Sequence, residues 1–83
     1  MRILYFAWLR TRIGKSSETL PVPAEVTTVA ALMEWLKARD PAYAVAFGNG
    51  AAIRAAVNQR LARPGDAIGP GDEVAFFPPL TGG

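Results

Sequence analysis

The chain has 83 residues, enough for one domain with a single modest hydrophobic core, and we expect that domain to span residues 1–83. Hydrophobic residues make up 51% and charged residues 19%, which is typical of a folded rather than a disordered chain. The lack of Cys and His excludes disulfides, thiol chemistry and imidazole catalysis, and the lack of a long apolar run predicts no membrane segment and a cytoplasmic location. The nine basic and seven acidic residues are scattered, which favours an acidic protein partner over nucleic acid.

The first predicted element is a strand over residues 2–10, where β-branched and aromatic residues dominate. Successive side chains of a strand point to opposite faces. Arg2 and Arg10 are both even-numbered, so they point to the same face of this strand. Their face, which we expect to be exposed, carries Leu4, Phe6 and Trp8. The opposite face, which we expect to point toward the core, carries Ile3, Tyr5, Ala7 and Leu9.

A hairpin turn is predicted over residues 11–16, because Gly14 suits a tight connection. The next strand covers residues 17–23. Its Pro21 and Pro23 confine it to a sheet edge, since proline has no N–H to donate to a neighbouring strand.

The strongest helical signal follows the second strand. Its apolar residues recur at the spacing i, i+3, i+4, i+7 and form one stripe of Val29, Leu32, Met33 and Leu36. Thr27 or Thr28 can cap the first turn, and Pro41 ends the helix. Asp40 and Pro41 can also begin a second, short helix as its N-cap and first helical residue, which residues 48–50 end.

Three further strands are predicted over residues 52–58, 60–62 and 73–77, separated by turns rich in Pro and Gly. The order of elements indicates an α+β fold in which one amphipathic helix covers one face of the sheet. The uncovered face would keep four large apolar side chains, Leu4, Phe6, Trp8 and Phe77. An exposed apolar patch of this kind predicts a protein interface.

The C-terminal residues 78–83 are expected to form a flexible, extended tail, because Pro78 and Pro79 prevent the last strand from continuing. Six residues reach about 20 Å. Gly82 and Gly83 have no side chains, so a narrow channel could admit the terminal carboxylate. That carboxylate is a poor electrophile until ATP converts it to an acyl adenylate, which can then take up sulfur or an amine. The tail therefore predicts a carried reagent rather than a catalyst.

The ending GDEVAFFPPLTGG, residues 71–83, closely resembles that of the small sulfur-carrier subunits of molybdopterin synthase. The segment FAWLR, residues 6–10, resembles the first strand of that family, and AAVNQ, residues 55–59, resembles a central strand with its turn. The resemblance implies a ubiquitin-like β-grasp fold, with a mixed sheet of four or five strands and one main helix packed on one face.

The resemblance also implies a function. Gly83 would be adenylated, converted to a thiocarboxylate (a 1-thioglycine), and donate its sulfur to cyclic pyranopterin monophosphate, which forms the dithiolene in molybdenum cofactor biosynthesis. The chain would be a non-catalytic subunit of a heterotetramer whose large catalytic subunit holds the active site. A ubiquitin-activating-like adenylyltransferase would use ATP to charge the glycine, and no cofactor or metal is expected on this chain.

The expected site residues are of two kinds. Gly83 bears the sulfur, and Gly82 threads beside it into the partner. The expected partner contacts are Phe6, Trp8, Arg10, Leu61, Phe77, Pro78, Pro79, Leu80 and Thr81. In the family that the chain resembles, hydrophobic contacts stand at the positions of Phe6, Leu61 and Phe77, and a basic residue stands at that of Arg10.

Two alternatives stay open. The chain could be a related ubiquitin-like sulfur carrier or protein modifier of another pathway. It could also be a β-grasp binding module whose Gly-Gly ending is unreactive.

Overall fold

The computed structural model describes residues 1–48 and 52–79. The predicted end of the short helix at residues 49–50, and the predicted site residues Leu80, Thr81, Gly82 and Gly83, lie outside the described residues. The elements follow in chain order as β1 (Arg2–Tyr5), α1 (Trp8–Ile13), β2 (Ser17–Thr19), α2 (Val29–Arg39), α3 (Pro41–Phe47), β3 (Arg54–Val57), β4 (Arg60–Ala62) and β5 (Glu73–Phe77).

The strands form one five-stranded mixed sheet in the order β2-β1-β5-β3-β4. The two strands nearest the chain termini, β1 and β5, run parallel to each other, and the other pairs are antiparallel. With α2 packed on the sheet, this arrangement confirms the α+β, ubiquitin-like β-grasp fold. The second strand lies at an edge, as its prolines predicted, although it ends at Thr19 rather than at residue 23.

The prediction of one long strand over residues 2–10 is wrong, as is the prediction of a hairpin turn over residues 11–16. β1 ends at Tyr5, and α1 begins at Trp8. Leu9 and Ile13 are one helical turn apart, so they lie on the same face of α1, and both are buried. Gly14 then ends the helix in the left-handed conformation, with φ of 90°, and its N–H donates to the carbonyl of Arg10.

The predicted helices are confirmed, together with their caps. The Oγ1 of Thr28, rather than that of Thr27, accepts from the N–H of Ala31 at 3.1 Å and so satisfies one of the free donors of the first turn of α2. Asp40 separates α2 from α3, and its carboxylate accepts from the N–H of Ala42 at 2.8 Å. Pro41 follows as the first residue of α3, where its missing N–H costs no hydrogen bond.

The described hydrophobic core lies between one face of the sheet and the three helices. The sheet contributes Ile3, Tyr5, Ala55, Val74 and Phe76, and α2 contributes Val29, Leu32, Met33 and Leu36. Phe47 of α3 meets Phe76 edge to face, with 5.1 Å between the ring centroids. None of the helices described is long and apolar enough to cross a membrane.

Candidate functional site

The strand that precedes the C-terminal segment lies in the middle of the sheet. β5 lies between β1 and β3, and its last residue, Phe77, stands opposite Arg54 of β3. On the other side, the N–H of Phe6 donates to the carbonyl of Phe76 at 3.1 Å. Pairing stops there because the next two residues are prolines. This boundary, called the tail edge below, comprises Phe6, Arg54, Phe77, Pro78 and Pro79.

The sheet face opposite the core carries an apolar row that crosses four strands. Leu4 pairs with Ala75, Ala75 with Ala56, and Ala56 with Leu61. Directly paired residues point to the same face, so these four side chains form a continuous row. Phe77 lies two residues beyond Ala75 and points the same way. Together, Leu4, Ala56, Leu61, Ala75 and Phe77 are called the open face.

The open face has a shape and a boundary. Ala56 and Ala75 lie between Leu4 and Leu61. Because the alanine side chains are short, the surface of the row is lower at its centre than at its two ends. Leu61 is 81% exposed, so burial of its side chain contributes almost nothing to the stability of the free protein. At the end away from the tail, Arg2 and Glu73 form an ion pair of 3.5 Å. A surface that is apolar in the middle and charged at its margin is typical of a protein interface.

Ala7 holds an unusual backbone conformation between β1 and α1. Its φ of 56° and ψ of −137° lie in a region that side chains with a Cβ rarely adopt, at a cost of about 1–3 kcal/mol. The conformation interrupts the alternation of the strand, so Phe6 and Trp8 are 47% and 39% exposed and Ala7 is exposed as well. The prediction that Ala7 points toward the core is therefore wrong.

The structure brings some of the predicted partner contacts together and separates others. Phe6, Phe77, Pro78 and Pro79 all belong to the tail edge, and Leu61 shares the open face with Phe77. Trp8 and Arg10 lie on α1 instead of the predicted first strand, and both are exposed. Trp8 lies beneath the guanidinium of Arg12, whose Cζ is 4.7 Å from the ring centroid.

Two residues of the site are not among the predicted site residues. Arg54 lies beside Phe77 at the tail edge, and Ala56 lies at the centre of the open face. Alternation along residues 52–58 contained the signal, because the odd-numbered residues Ile53, Ala55 and Val57 are all apolar, and Ile53 and Ala55 are buried. The even residues of the same strand must then point outward.

A half-buried carboxylate supports the tail edge from the core side. Glu18 of β2 accepts a hydrogen bond of 2.7 Å from Tyr5, the last residue of β1, and a second hydrogen bond from Tyr43 of α3. Lys15 lies 3.3 Å from its other oxygen. The hydrogen bonds of this cluster thus connect β2, β1 and α3.

The cluster shifts the pKa values of its members. Burial raises the pKa of Glu18, but the hydrogen bonds from Tyr43 and Tyr5 and the charge of Lys15 outweigh it, so the net pKa is lowered. Burial, followed by the bonds to Glu18, raises the pKa of Tyr5 and of Tyr43. At neutral pH the carboxylate is therefore ionised, and both phenols remain protonated donors.

Replacing Glu18 with Gln is expected to cost about 1–2 kcal/mol of stability at neutral pH, because the phenols lose a charged acceptor. Since the folded pKa of Glu18 lies below the ordinary value of 4.5, its stabilisation is complete above that value and is lost as the pH falls through the folded pKa. The stability of the E18Q variant should therefore fall less between neutral and acid pH. Urea unfolding at a series of pH values measures both effects.

Glu34 provides the control for this experiment. Its side chain is 71% exposed and, among residues 1–48 and 52–79, forms an ion pair with Lys37 alone, so E34Q should leave the stability nearly unchanged across the same pH series. Equal pH profiles for the wild-type protein and E18Q would contradict the role given to the cluster.

The described residues contain no candidate metal centre. Within residues 1–48 and 52–79, no three carboxylates are grouped so that they could hold an ion.

Comparison with known proteins gives matches over the whole chain. The model of the ThiS family matches residues 3–83. The molybdopterin synthase sulfur carrier subunit of Escherichia coli is 40% identical over 83 residues, which cover 100% of this chain and 99% of the relative. The subunit of the same name from Homo sapiens is 35% identical over 86 residues, which cover 100% of this chain and 93% of the relative.

A solved structure supports the same fold. The small archaeal modifier protein SAMP1 from Haloferax volcanii is similar with a TM-score of 0.78 and 30% sequence identity. The alignment covers 100% of this chain and 98% of that protein.

Proposed function

The chain belongs to the ThiS family, and on that premise we propose that it is a sulfur carrier of molybdopterin synthase which bears its sulfur on the C-terminal Gly83. The observation that carries the proposal is the full-length match to relatives named molybdopterin synthase sulfur carrier subunits. The position of β5 supports it, since the strand that precedes Pro78 lies at the centre of the sheet beside an exposed apolar face.

The chemistry begins at the terminal carboxylate, which is ionised at neutral pH and does not react with nucleophiles. One carboxylate oxygen attacks the α-phosphate of ATP, and pyrophosphate leaves. A sulfur nucleophile at the oxidation level of hydrosulfide then attacks the acyl carbon of the adenylate, AMP leaves with the bonding electrons, and the S–H proton is released. The product is a glycyl thiocarboxylate. After its sulfur passes to cyclic pyranopterin monophosphate, water restores the carboxylate on Gly83.

Two partners follow from this reaction sequence. A ubiquitin-activating-like adenylyltransferase binds ATP and charges Gly83, so this chain holds no nucleotide of its own. The large catalytic subunit of molybdopterin synthase receives the tail, and Gly82 and Gly83 allow it to enter a narrow channel. The open face and the tail edge supply the apolar contact that holds the two subunits together. The heterotetramer and the cytoplasmic location stay predictions.

The test is a reconstitution with purified components. Incubation of the full chain with the adenylyltransferase, ATP and a sulfur donor should increase its intact mass by the difference between one sulfur and one oxygen. The charged protein should then form molybdopterin when the large subunit and the pterin substrate are added. A charged protein that yields no molybdopterin would assign the carrier to another pathway, and the absence of a mass change would contradict sulfur carriage altogether.

The likeness to SAMP1 favours a second candidate function, the modification of other proteins through an isopeptide bond. The acyl adenylate of Gly83 could be captured by a lysine amine in place of a sulfur nucleophile. The same incubation, repeated with a cell extract, separates the candidates: a modifier forms adducts of higher mass on lysines, whereas a dedicated sulfur carrier does not.

A further inference from the structure

Three arginines without a carboxylate partner, half of those in the part of the chain that the structure describes, lie at the end of the molecule where residues 78 and 79 follow β5, called the tail end below. Arg54 stands opposite Phe77 at the tail edge, and α1, which carries Arg10 and Arg12, begins two residues after Phe6. Among residues 1–48 and 52–79, none of these three arginines has a carboxylate within 4.0 Å.

The carboxylates, in contrast, are engaged by other groups of the protein. Six of the seven acidic side chains have a partner: Glu18 binds Lys15 and two tyrosines, Glu34 binds Lys37, Glu73 binds Arg2, and Asp40, Asp66 and Asp72 accept from backbone N–H groups. Asp72 and Glu73 lie at the opposite end of β5 from the tail. The fold therefore leaves the tail end basic.

Arg12 is held in an orientation suited to one kind of ligand. Its guanidinium stacks on the ring of Trp8, 4.7 Å from the centroid, and a stacked guanidinium keeps the N–H groups at its rim free. Those donors form a planar fork that matches a carboxylate in bidentate geometry. The side chain is exposed, so the fork is accessible to another molecule.

We propose that the tail end of the chain docks on an acidic surface of the large subunit, with partner carboxylates facing Arg12 and Arg54 around the opening that admits the tail. The proposal deepens the proposed function and rests on it. A protein partner is favoured over a nucleic acid because Arg54 points to the same side of β3 as Ala56 and so borders the open face. Of the five residues of that face only Phe77 is aromatic, and it is half-buried, whereas the most exposed one, Leu61, offers an aliphatic surface on which a base does not stack.

Electrostatic docking has a measurable signature. Charges at the margin of an interface mainly accelerate association, and salt screens their effect. The full-length R12Q/R54Q double variant should bind the purified large subunit about tenfold more weakly than the wild-type chain at low salt. The difference should shrink at high salt, where the wild-type chain loses the same advantage. Calorimetry and stopped-flow association at the two salt concentrations give both values.

A charge-matched control is available in the same chain. Arg39 stacks on Trp35 at 5.0 Å but lies at the end of α2, and Arg60 stands opposite Val57, toward the other end of the sheet. The R39Q/R60Q double variant has the same net charge as R12Q/R54Q, and it should bind the large subunit like the wild-type chain.

The outcomes separate this inference from the function on which it rests. If the wild-type chain binds the large subunit and supports molybdopterin formation, but R12Q/R54Q binds equally well at low salt, the acidic docking surface is wrong and the function stands. If the wild-type chain does not bind the large subunit, both are wrong. Binding of a single-stranded oligonucleotide that requires Arg12 and Arg54, with no effect on the large subunit, would also overturn the proposal.

Discussion

A chain that ends at Gly82 is expected to fold normally and to lose at least about hundredfold in sulfur transfer. Its new terminus is still a glycine carboxylate, so the loss does not come from a missing functional group. It comes from reach, because removing one residue withdraws the reacting carbon by about 3.3–3.6 Å. A displacement of this size removes a reactant from the geometry in which its partner groups act on it.

The measurement compares three proteins in the reconstituted system. Deletion of Gly83 shortens the tail, Gly83→Ala keeps its length and adds one methyl group, and an extra alanine after Gly83 lengthens it. The deletion and the extension should both abolish the mass gain and molybdopterin formation. The G83A variant should keep part of the activity if length matters most, and should lose it if the channel is too narrow for a Cβ.

Stability measurements provide the control for these variants. The described core ends at Phe76, so changes at the terminus should leave the free energy of unfolding within about 0.5 kcal/mol of the wild-type value. A truncated protein that forms molybdopterin at the wild-type rate would show that Gly83 is not the residue that carries sulfur.

The sequence predicted those elements whose signals are local. Residues close together in the chain determine three features: the apolar stripe and cap of α2, the start of α3 at Asp40 and Pro41, and the bounds of β5. The order of strands in the sheet requires contacts between distant residues. The resemblance to a known family predicted the β-grasp fold and its mixed sheet, and the order of the strands was not predicted.

The error over residues 2–10 has a specific physical cause. The conformation of Ala7, with φ of 56°, would be indicated in a sequence by glycine, and alanine gives no such signal. Arg2 and Arg10 would point to the same face if they belonged to one strand. The strand ends at Tyr5, however, and side chains do not alternate between two faces in the helix that begins at Trp8. With only six residues, α1 offers a single buried pair at helical spacing, which the alternation of a strand explains equally well.

The candidate site was predictable in composition but not in arrangement. Parity predicted Leu4 and Phe77 on the uncovered face, and the resemblance added Leu61. The row that joins them depends on the register of β3 against β5, which sets Ala56 beside Ala75. The cluster around Glu18 was missed, although a buried Tyr5 requires a partner for its hydroxyl group and so indicated that one exists.

Replacing Leu61 with Asn is expected to weaken binding to the large subunit by about hundredfold, or roughly 3 kcal/mol. Burial of a leucine contributes about 1.5–3 kcal/mol, and burial of an amide without a partner costs about 1–3 kcal/mol in addition. In the free protein Leu61 is 81% exposed, so the free energy of unfolding should change little. Asn is neutral, so any effect is separate from charge repulsion by an acidic partner.

Val45 allows the same substitution on another surface. It is 70% exposed and lies on α3, on the side of the sheet opposite the open face, so V45N should bind the large subunit like the wild-type protein. The loss in L61N should persist at high salt, because apolar burial is not screened, whereas the loss in R12Q/R54Q should fade. Equal weakening by L61N and V45N would mean that the open face is not where the subunits meet. A loss in L61N that disappeared with salt would mean that Leu61 does not act through burial.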